Sequence, residues 1–386
     1  MKVLHICLAA FFPDNYAYQE NLLPKYHKKM GYDVEVIASL LTFDENGKTV
    51  YLPEPSVYSN EYGIKVTRLQ NRKPIKLMRR IRLYKGTYRA IEEATPDIMF
   101  IHNGSFLDIL SVRKYVKKHP GVRIYIDNHG DYFNSGRNWV SLNLLHKGLW
   151  RRCFKLIGPY TTKFYGVLPA RVDFLTDVYK TPKYKTELLV MGADDEKVEE
   201  ALQPQTMCMV RKELGIEEND FVIITGGKID KNKYQIIDLM KTIRRIQRPN
   251  VKLIVFGSVV PELKDEFNEL INENVRYIGW INSQDVYKYF VVSTLGVFPG
   301  RHSVLWEQAV GAGLPMLVRE WEGITHIDLG GNVSFIKDDS SETVMNALIK
   351  IIDSPDNLKK MKRVAMDQGM KHFSYMDIAR RSIENN

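Results

Sequence analysis

Phe221-Val222-Ile223-Ile224-Thr225-Gly226-Gly227-Lys228-Ile229-Asp230-Lys231-Asn232-Lys233 is the run on which the fold turns. Phe221–Thr225 has strand length and β-rich composition, stops at two glycines, and gives way to an amphipathic helix over Lys233–Ile246. A buried strand, a glycine turn and a helix make one βα step. The step recurs downstream: Val251–Phe256 ends at Gly257, Val275–Ile278 at Gly279, and Thr294–Phe298 at Pro299-Gly300, with a further short strand at Pro315–Val318. It recurs upstream as well. Lys2–Ala10 reads as a strand, Tyr18–Met30 as a helix stopped by Gly31, and Asp33–Ser39 as a strand. Ile98–His102, Val122–Asp127, Phe164–Leu168 and Glu187–Met191 complete the first set. Strands alternating with helices imply parallel pairing with helices on both faces.

The expected fold class is therefore α/β, with two doubly wound Rossmann-like domains. A chain of 386 residues exceeds one ordinary core. The domains are expected at 1–192 and 205–372, joined by the charged, weakly periodic stretch Gly192–Pro204, with a C-terminal helix over 373–386 packing back on the first. Ligands of such sheets sit beyond the carboxyl ends of the strands, where the glycines lie.

Composition narrows the function. At 44% hydrophobic and 26% charged the chain is globular, and its net charge of +9 favours anionic partners. Cys7, Cys153 and Cys208 are far apart and match no zinc or CxxC spacing, so a reducing cytoplasm is the expected location. Met1–Phe12 is apolar, but His5 interrupts it and no clear cleavage site follows, so it reads as a buried first strand. No segment offers the ~18 apolar residues of a membrane span. Phe11-Phe12-Pro13 follows the first strand where a dinucleotide fold would have GxGxxG, and no GxxxxGK[ST] loop occurs.

Phosphate chemistry is then sought in the second domain. Gly226 and Gly227 let a ligand approach the backbone. Lys228 and Lys233 bracket the turn and can neutralise a diphosphate as point charges, though the same spacing describes a solvated basic loop. The other segment is Phe298-Pro299-Gly300-Arg301-His302-Ser303-Val304-Leu305-Trp306-Glu307-Gln308-Ala309-Val310-Gly311-Ala312-Gly313. Ser303 suits a helix cap, and amides near it suit an anion. Glu307 has no basic neighbour one turn away, so if buried it needs donors, for which ribose hydroxyls are suited; the other reading is an exposed face.

These segments resemble the retaining GT-B glycosyltransferases of family 4. Gly227-Lys228 followed by Lys233 is similar to the family's G-R-L…K-G signature, with lysine for arginine. Trp306–Pro315 is similar to the E-A-M-A-x-G-x-P run that ends E-x7-E. Gln19-Glu20-Asn21-Leu22-Leu23-Pro24 with Gly31-Tyr32-Asp33-Val34 is similar to the opening helix and strand. The first glutamate of E-x7-E is missing, Pro299 standing in its place. The resemblance implies two domains facing each other across a cleft and transfer of a sugar from a nucleoside-diphosphate donor, with a UDP-sugar the leading choice, to a glycan or lipid-linked acceptor with retention. Surface polysaccharide or glycolipid synthesis is the implied setting. It implies that Gly227, Lys228 and Lys233 bind the diphosphate, that Gly300, Arg301, His302 and Ser303 meet phosphate or sugar, and that Glu307 meets ribose. His129 would face the donor sugar, a structural histidine within its turn being the alternative. No cofactor and no metal are expected, because lysines and amides can neutralise the leaving diphosphate.

Asn71–Ala90 contains no acid and reads as a basic amphipathic helix, with Arg79, Arg80, Arg82 and Lys85 on a face for an anionic membrane or acceptor. Lys147, Arg151, Arg152 and Lys155 among Leu149, Trp150 and Phe154 form a second patch. A peripheral location on the inner face of the cell membrane is therefore expected. No nucleic acid is expected, since no recognition motif occurs. The competing functions are a GT-B nucleotide-sugar epimerase and a non-catalytic basic binding module.

Overall fold

The computed structural model describes residues 1–44, 48–72 and 81–384. The chain divides into two compact units, Met1–Val190 with Ile378–Asn386, and Met191–Asp377.

In the first unit the strands are β1 (Lys2–Cys7), β2 (Asp33–Ser39), β3 (Leu41–Phe43), β4 (Thr49–Tyr51), β5 (Val57–Ser59), β6 (Lys65–Leu69), β7 (Ile98–His102), β8 (Arg123–Asn128), β9 (Thr161–Gly166) and β10 (Thr186–Leu188). Among the described residues eight of them form one sheet, ordered β10-β9-β8-β7-β1-β2-β6-β5, and β3 pairs with β4 separately. Within the eight-stranded sheet pairing is parallel except between β5 and β6, and β3 and β4 pair antiparallel. The most apolar runs, β1, β7 and β8, take the centre, where both faces are covered. Helix α1 (Gln19–Lys29) follows β1, as the periodicity predicts.

Of Asn71–Ala90, the described residues 71–72 and 82–86 are not helical. Asn71 and Tyr84 form an antiparallel bridge, and the Arg72 and Lys85 amides donate to Leu83 and Gln70, each at 2.9 Å. Helix α2 (Thr87–Ala94) begins only after Gly86. Tyr84, which falls at helical spacing in the sequence, serves this reversal: it is buried, with its hydroxyl donating to the Leu8 carbonyl at 2.6 Å. Arg79 and Arg80 lie outside the described residues.

The second unit holds β11 (Phe221–Gly226), β12 (Val251–Phe256), β13 (Val275–Tyr277), β14 (Leu295–Phe298), β15 (Met316–Arg319) and β16 (Val333–Ile336). They form an all-parallel sheet ordered β13-β12-β11-β14-β15-β16. The order reverses beside β11 and β14, which makes their carboxyl ends the topological switch point. The stretch expected as a linker is ordered structure of this unit. It contains α3 (Asp195–Ala201), with α4 (Pro204–Glu213) directly after it. The Ala193 amide donates to Phe373 at 2.8 Å, and the Met376 amide to Asp195 at 2.9 Å. The unit is thus wider than the expected 205–372. The remaining helices used below are α5 (Gln235–Ile246), α6 (Leu305–Gly311) and α7 (Tyr375–Ile383). Tyr125 ties the end of α7 to the first unit, its hydroxyl donating to the Ile383 carbonyl at 2.9 Å.

Candidate functional site

At the switch point of the second sheet one pocket is lined by Thr225 from the end of β11, by Lys233 and Gln235 at the start of α5, and by Gly300, Arg301 and Ser303 after β14. Two glycines shape the turn against which Lys233 lies. Gly257 has φ +118, and a Cβ there would stand 1.9 Å from the Gly227 carbonyl oxygen, so β12 can close onto the β11 turn only without a side chain. Gly227 has φ +124, and its missing Cβ is where the Lys233 ammonium lies: a Cβ would meet Nζ at 2.7 Å.

The pocket is polar where it is unfilled. Thr225 Oγ1 and Gln235 Oε1 are buried and without a hydrogen-bond partner. The Gln235 amide is oriented by its own donor, which gives a 2.8 Å bond to Asp339, leaving Oε1 beside Gly300. Arg319 pairs with the same Asp339 carboxylate at 3.1 Å and stacks over Trp321, whose Nε1 donates to the Gly300 carbonyl at 3.2 Å. Burial pulls the Lys233 ammonium below its ordinary pKa, and the Asp230 carboxylate offsets this only in part. Buried donors and acceptors without partners are costly, and a cation held in such a place is stabilised by an incoming anion.

The sequence-predicted residues separate into groups. Lys233, Gly300, Arg301 and Ser303 come together at the pocket, with Gly227 beneath Lys233. Lys228 is exposed and does not line it. Glu307, expected to offer its carboxylate to a ribose, is instead wholly buried on α6. Its Oε1 accepts from His302 Nε2 and from His326 Nε2, each at 2.8 Å, while Oε2 has no partner. Burial would raise its pKa, but His302 and His326 outweigh this and hold the carboxyl well below the usual carboxylate range. The donors that Oε1 has within the protein are imidazoles. Thr225, Gln235 and His326 were not legible in the sequence. The first two look like an ordinary strand end and helix start, and His326 stands 19 positions from Glu307.

His129 belongs to the first unit, on the turn after β8, with a quarter of its side chain exposed. Its Nε2 is 3.4 Å from Asp127 Oδ2, long for a hydrogen bond but close enough for charge pairing, and 3.9 Å from Glu20. Burial lowers the His129 pKa, and Asp127 overcomes this to raise it above the ordinary value. Asp127 itself is buried and accepts from the Asn103 amide and Gln19 Nε2 at 2.9 Å and faces His102 Nδ1 at 3.1 Å. Behind it runs a row of imidazoles: His102 Nε2 to His5 Nδ1 at 3.0 Å, and His5 Nε2 to His27 Nδ1 at 3.0 Å.

The expected membrane face is partly overturned. Arg82 is half-buried, has φ 57, and donates to the Ser105 carbonyl at 2.8 Å, so it is a structural side chain. Lys85 is exposed. In the second patch Trp150 and Phe154 belong to the core. The exposed apolar residues precede it: Phe133 at 66%, Trp139 at 70%, Val140 at 60% and Leu144 at 61%. No described helix is long and apolar enough to cross a membrane.

Residues 209–368, which include the pocket and the Glu307 cluster, match the family described as Glycosyl transferases group 1. Among curated protein sequences none matches the chain. Among solved structures the chain resembles Anabaena Alr3699/HepE in complex with UDP and glucose, at 15% identity and TM-score 0.64 over 99% of this chain and 98% of that one. It resembles WaaG, a glycosyltransferase involved in lipopolysaccharide biosynthesis, at 16% identity and TM-score 0.66 over 99% and 100%. It also resembles the UDP-GlcNAc 2-epimerase of Neisseria meningitidis bound to UDP-GlcNAc, at 14% identity and TM-score 0.63 over 99% of each chain. At these identities the likeness is one of fold, that of the GT-B enzymes.

Proposed function

We propose that this GT-B chain, a glycosyltransferase by its group 1 domain over residues 209–368, takes its sugar from a UDP-sugar bound at the β11–β14 switch point and passes it, with retention, to a glycan or lipid-linked acceptor in surface polysaccharide or glycolipid synthesis. The observation that carries the reading is the pocket itself. A half-buried lysine, an exposed arginine, a serine and two unpartnered buried oxygens converge on it. Cleaving a sugar–phosphate bond leaves negative charge on the diphosphate, and Lys233 and Arg301 are the groups to stabilise it as it develops. The two oxygens, Thr225 Oγ1 and Gln235 Oε1, suit hydroxyl or imide donors of a nucleotide or sugar. The UDP complexes of HepE support uridine as the base. His129, charged when paired with Asp127, is assigned to the sugar side of the reaction. No bound metal is assigned to this charge-stabilising step.

For the acceptor, the run from Tyr132 to Tyr160 carries no acid, and within it Arg137, Lys147, Arg152 and Lys155 are exposed, as are Phe133, Trp139, Val140 and Leu144. Apolar tips among cations suit the interface of an anionic membrane, which supports a lipid-linked acceptor and peripheral attachment.

The test is calorimetric titration with UDP, GDP and ADP, followed by turnover of the matching sugar nucleotides. UDP should bind, and Lys233→Ala should weaken transfer. Failure of all three nucleotides to bind the folded protein would reject the site. The likeness to UDP-GlcNAc 2-epimerases favours a second reading, in which the donor is epimerised and released. Resolving the products separates the two: free epimer without acceptor-linked sugar selects the second.

A further inference from the structure

We propose that His302 Nε2, Glu307 Oε1 and His326 Nε2 form a binding site for one divalent transition-metal ion of the zinc and cobalt class. These are three ligand atoms, all within 4.8 Å of one another. They come from three separate places in the chain: the segment after β14, helix α6, and the loop after β15. Both imidazole nitrogens point at one oxygen, at 2.8 Å each. The side chains of His302 and His326 are 8% and 4% exposed, and that of Glu307 not at all.

Two neutral imidazoles donating to Oε1 would satisfy that oxygen alone. Oε2 of the same carboxylate is buried with no partner, and a buried carboxylate with an unused oxygen is an expensive arrangement. An ion resolves it. Bound at about 2.0–2.2 Å from each donor, it would open the two short contacts by roughly half an ångström and offer Oε2 a second bond. Two imidazoles and one carboxylate are the donor set for Zn²⁺, Co²⁺ or Fe²⁺ rather than for Mg²⁺ or Ca²⁺, which take oxygen ligands. Three protein ligands leave a coordination position for water or a ligand oxygen. The ion would tie His302, and with it the Arg301–Ser303 edge of the pocket, to α6 and the β15 loop. This proposal rests on the cluster alone and holds whichever sugar nucleotide the pocket takes.

The experiment uses full-length, untagged protein stripped with a chelator and titrated with Co²⁺ alone. Visible d–d absorption should appear with one equivalent and disappear on adding Zn²⁺. Glu307→Gln and His326→Gln, checked for fold by circular dichroism, should bind at least about 100-fold more weakly, since even outer partners of metal ligands cost 10–100-fold. His129→Gln, in the other unit, should bind as wild type. If Glu307→Gln fails to fold, His302→Gln takes its place. Absence of saturable Co²⁺ or Zn²⁺ binding up to millimolar concentration would overturn the proposal. So would a site that keeps its affinity in folded His326→Gln or His302→Gln.

Discussion

His102 Nδ1 stands 3.1 Å from the Asp127 carboxylate, at the inner end of three buried imidazoles in a row. At the outer end His27 Nε2 lies 3.0 Å from the Ala379 carbonyl and from Ser382 Oγ, whose own proton goes to that carbonyl. From Ala379 through His27, His5 and His102 to Asp127 there are four contacts, and three neutral rings supply three N–H groups. Burial holds His5 and His27 below the ordinary imidazole pKa, and the Ser382 hydroxyl, 3.0 Å from His27 Nε2, can turn from the carbonyl to complete the outer end. Nitrogen-15 NMR of the histidines at pH 8 should find His5 and His27 neutral. A doubly protonated ring at either position would show that the row, and not Ser382, carries the fourth hydrogen. Removing the inner end of the row, His102→Ala, takes a hydrogen-bond partner from the buried Asp127 carboxylate and should cost about 1–3 kcal/mol in stability by chemical denaturation.

The two lysines that look alike in sequence should behave differently. Lys233 is held against Gly227 and lines the pocket, whereas Lys228 is exposed outside it. Lys233→Ala should lower kcat by about 100-fold, the scale for losing one preorganised charge-stabilising donor, with a smaller change in donor affinity. Lys228→Ala should stay within about twofold of wild type, as surface changes do. Steady-state kinetics with the productive donor reads both, and equal losses would place the diphosphate elsewhere.

This contrast marks how far the sequence could be read. The strands of both sheets are legible because buried parallel strands are continuous apolar runs bounded by glycine, as in Val251–Phe256 with Gly257. Short edge strands such as Val57–Ser59 carry no such run. The helix read over Asn71–Ala90 fails at residues 82–86, where Tyr84 bridges back to Asn71 although it falls at helical spacing. Within the site, Lys233, Gly300, Arg301 and Ser303 were legible because each adjoins a strand end. Glu307 was recognised as unusual, but its imidazole partners were not, since no spacing rule connects it to His326. Arg82 was misread for a related reason: a charge count does not reveal which cation turns inward to a carbonyl.

His129 should titrate above an ordinary histidine, because the Asp127 carboxylate beside it outweighs burial. The sign follows from linkage. A folded-state pKa raised above the unfolded value contributes stability that is complete below the unfolded pKa of about 6.5 and is lost as pH rises through the folded one. Wild type should thus exceed His129→Gln in stability at pH 6, with the gap closing at alkaline pH. Urea unfolding of both proteins across that range is the measurement. A gap that is constant or widens with pH would mean that His129 is not held as a cation.

Membrane attachment should depend on Trp139 and Leu144 more than on Arg82. Trp139, Val140 and Leu144 are exposed where a monomer surface gains nothing from them, and the same acid-free stretch supplies Arg137 and Lys147. Each cation near an anionic bilayer contributes roughly 1 kcal/mol, and that part fades with salt over a screening length of about 8 Å. The apolar part does not, because a large side chain moved out of water gains about 1.5–3 kcal/mol whatever the ionic strength. Co-sedimentation with phosphatidylserine vesicles should therefore fall at high salt without vanishing. Trp139→Ser with Leu144→Ser should reduce binding by at least about tenfold, since losing even 1.4 kcal/mol of insertion is a factor of ten. Arg82→Gln, by contrast, should sediment as wild type while losing about 1–3 kcal/mol of stability, because its guanidinium bonds a backbone carbonyl inside the fold. Wild type that stays in the supernatant at low salt, or a double variant that sediments unchanged, would remove the membrane from the account of this protein's acceptor.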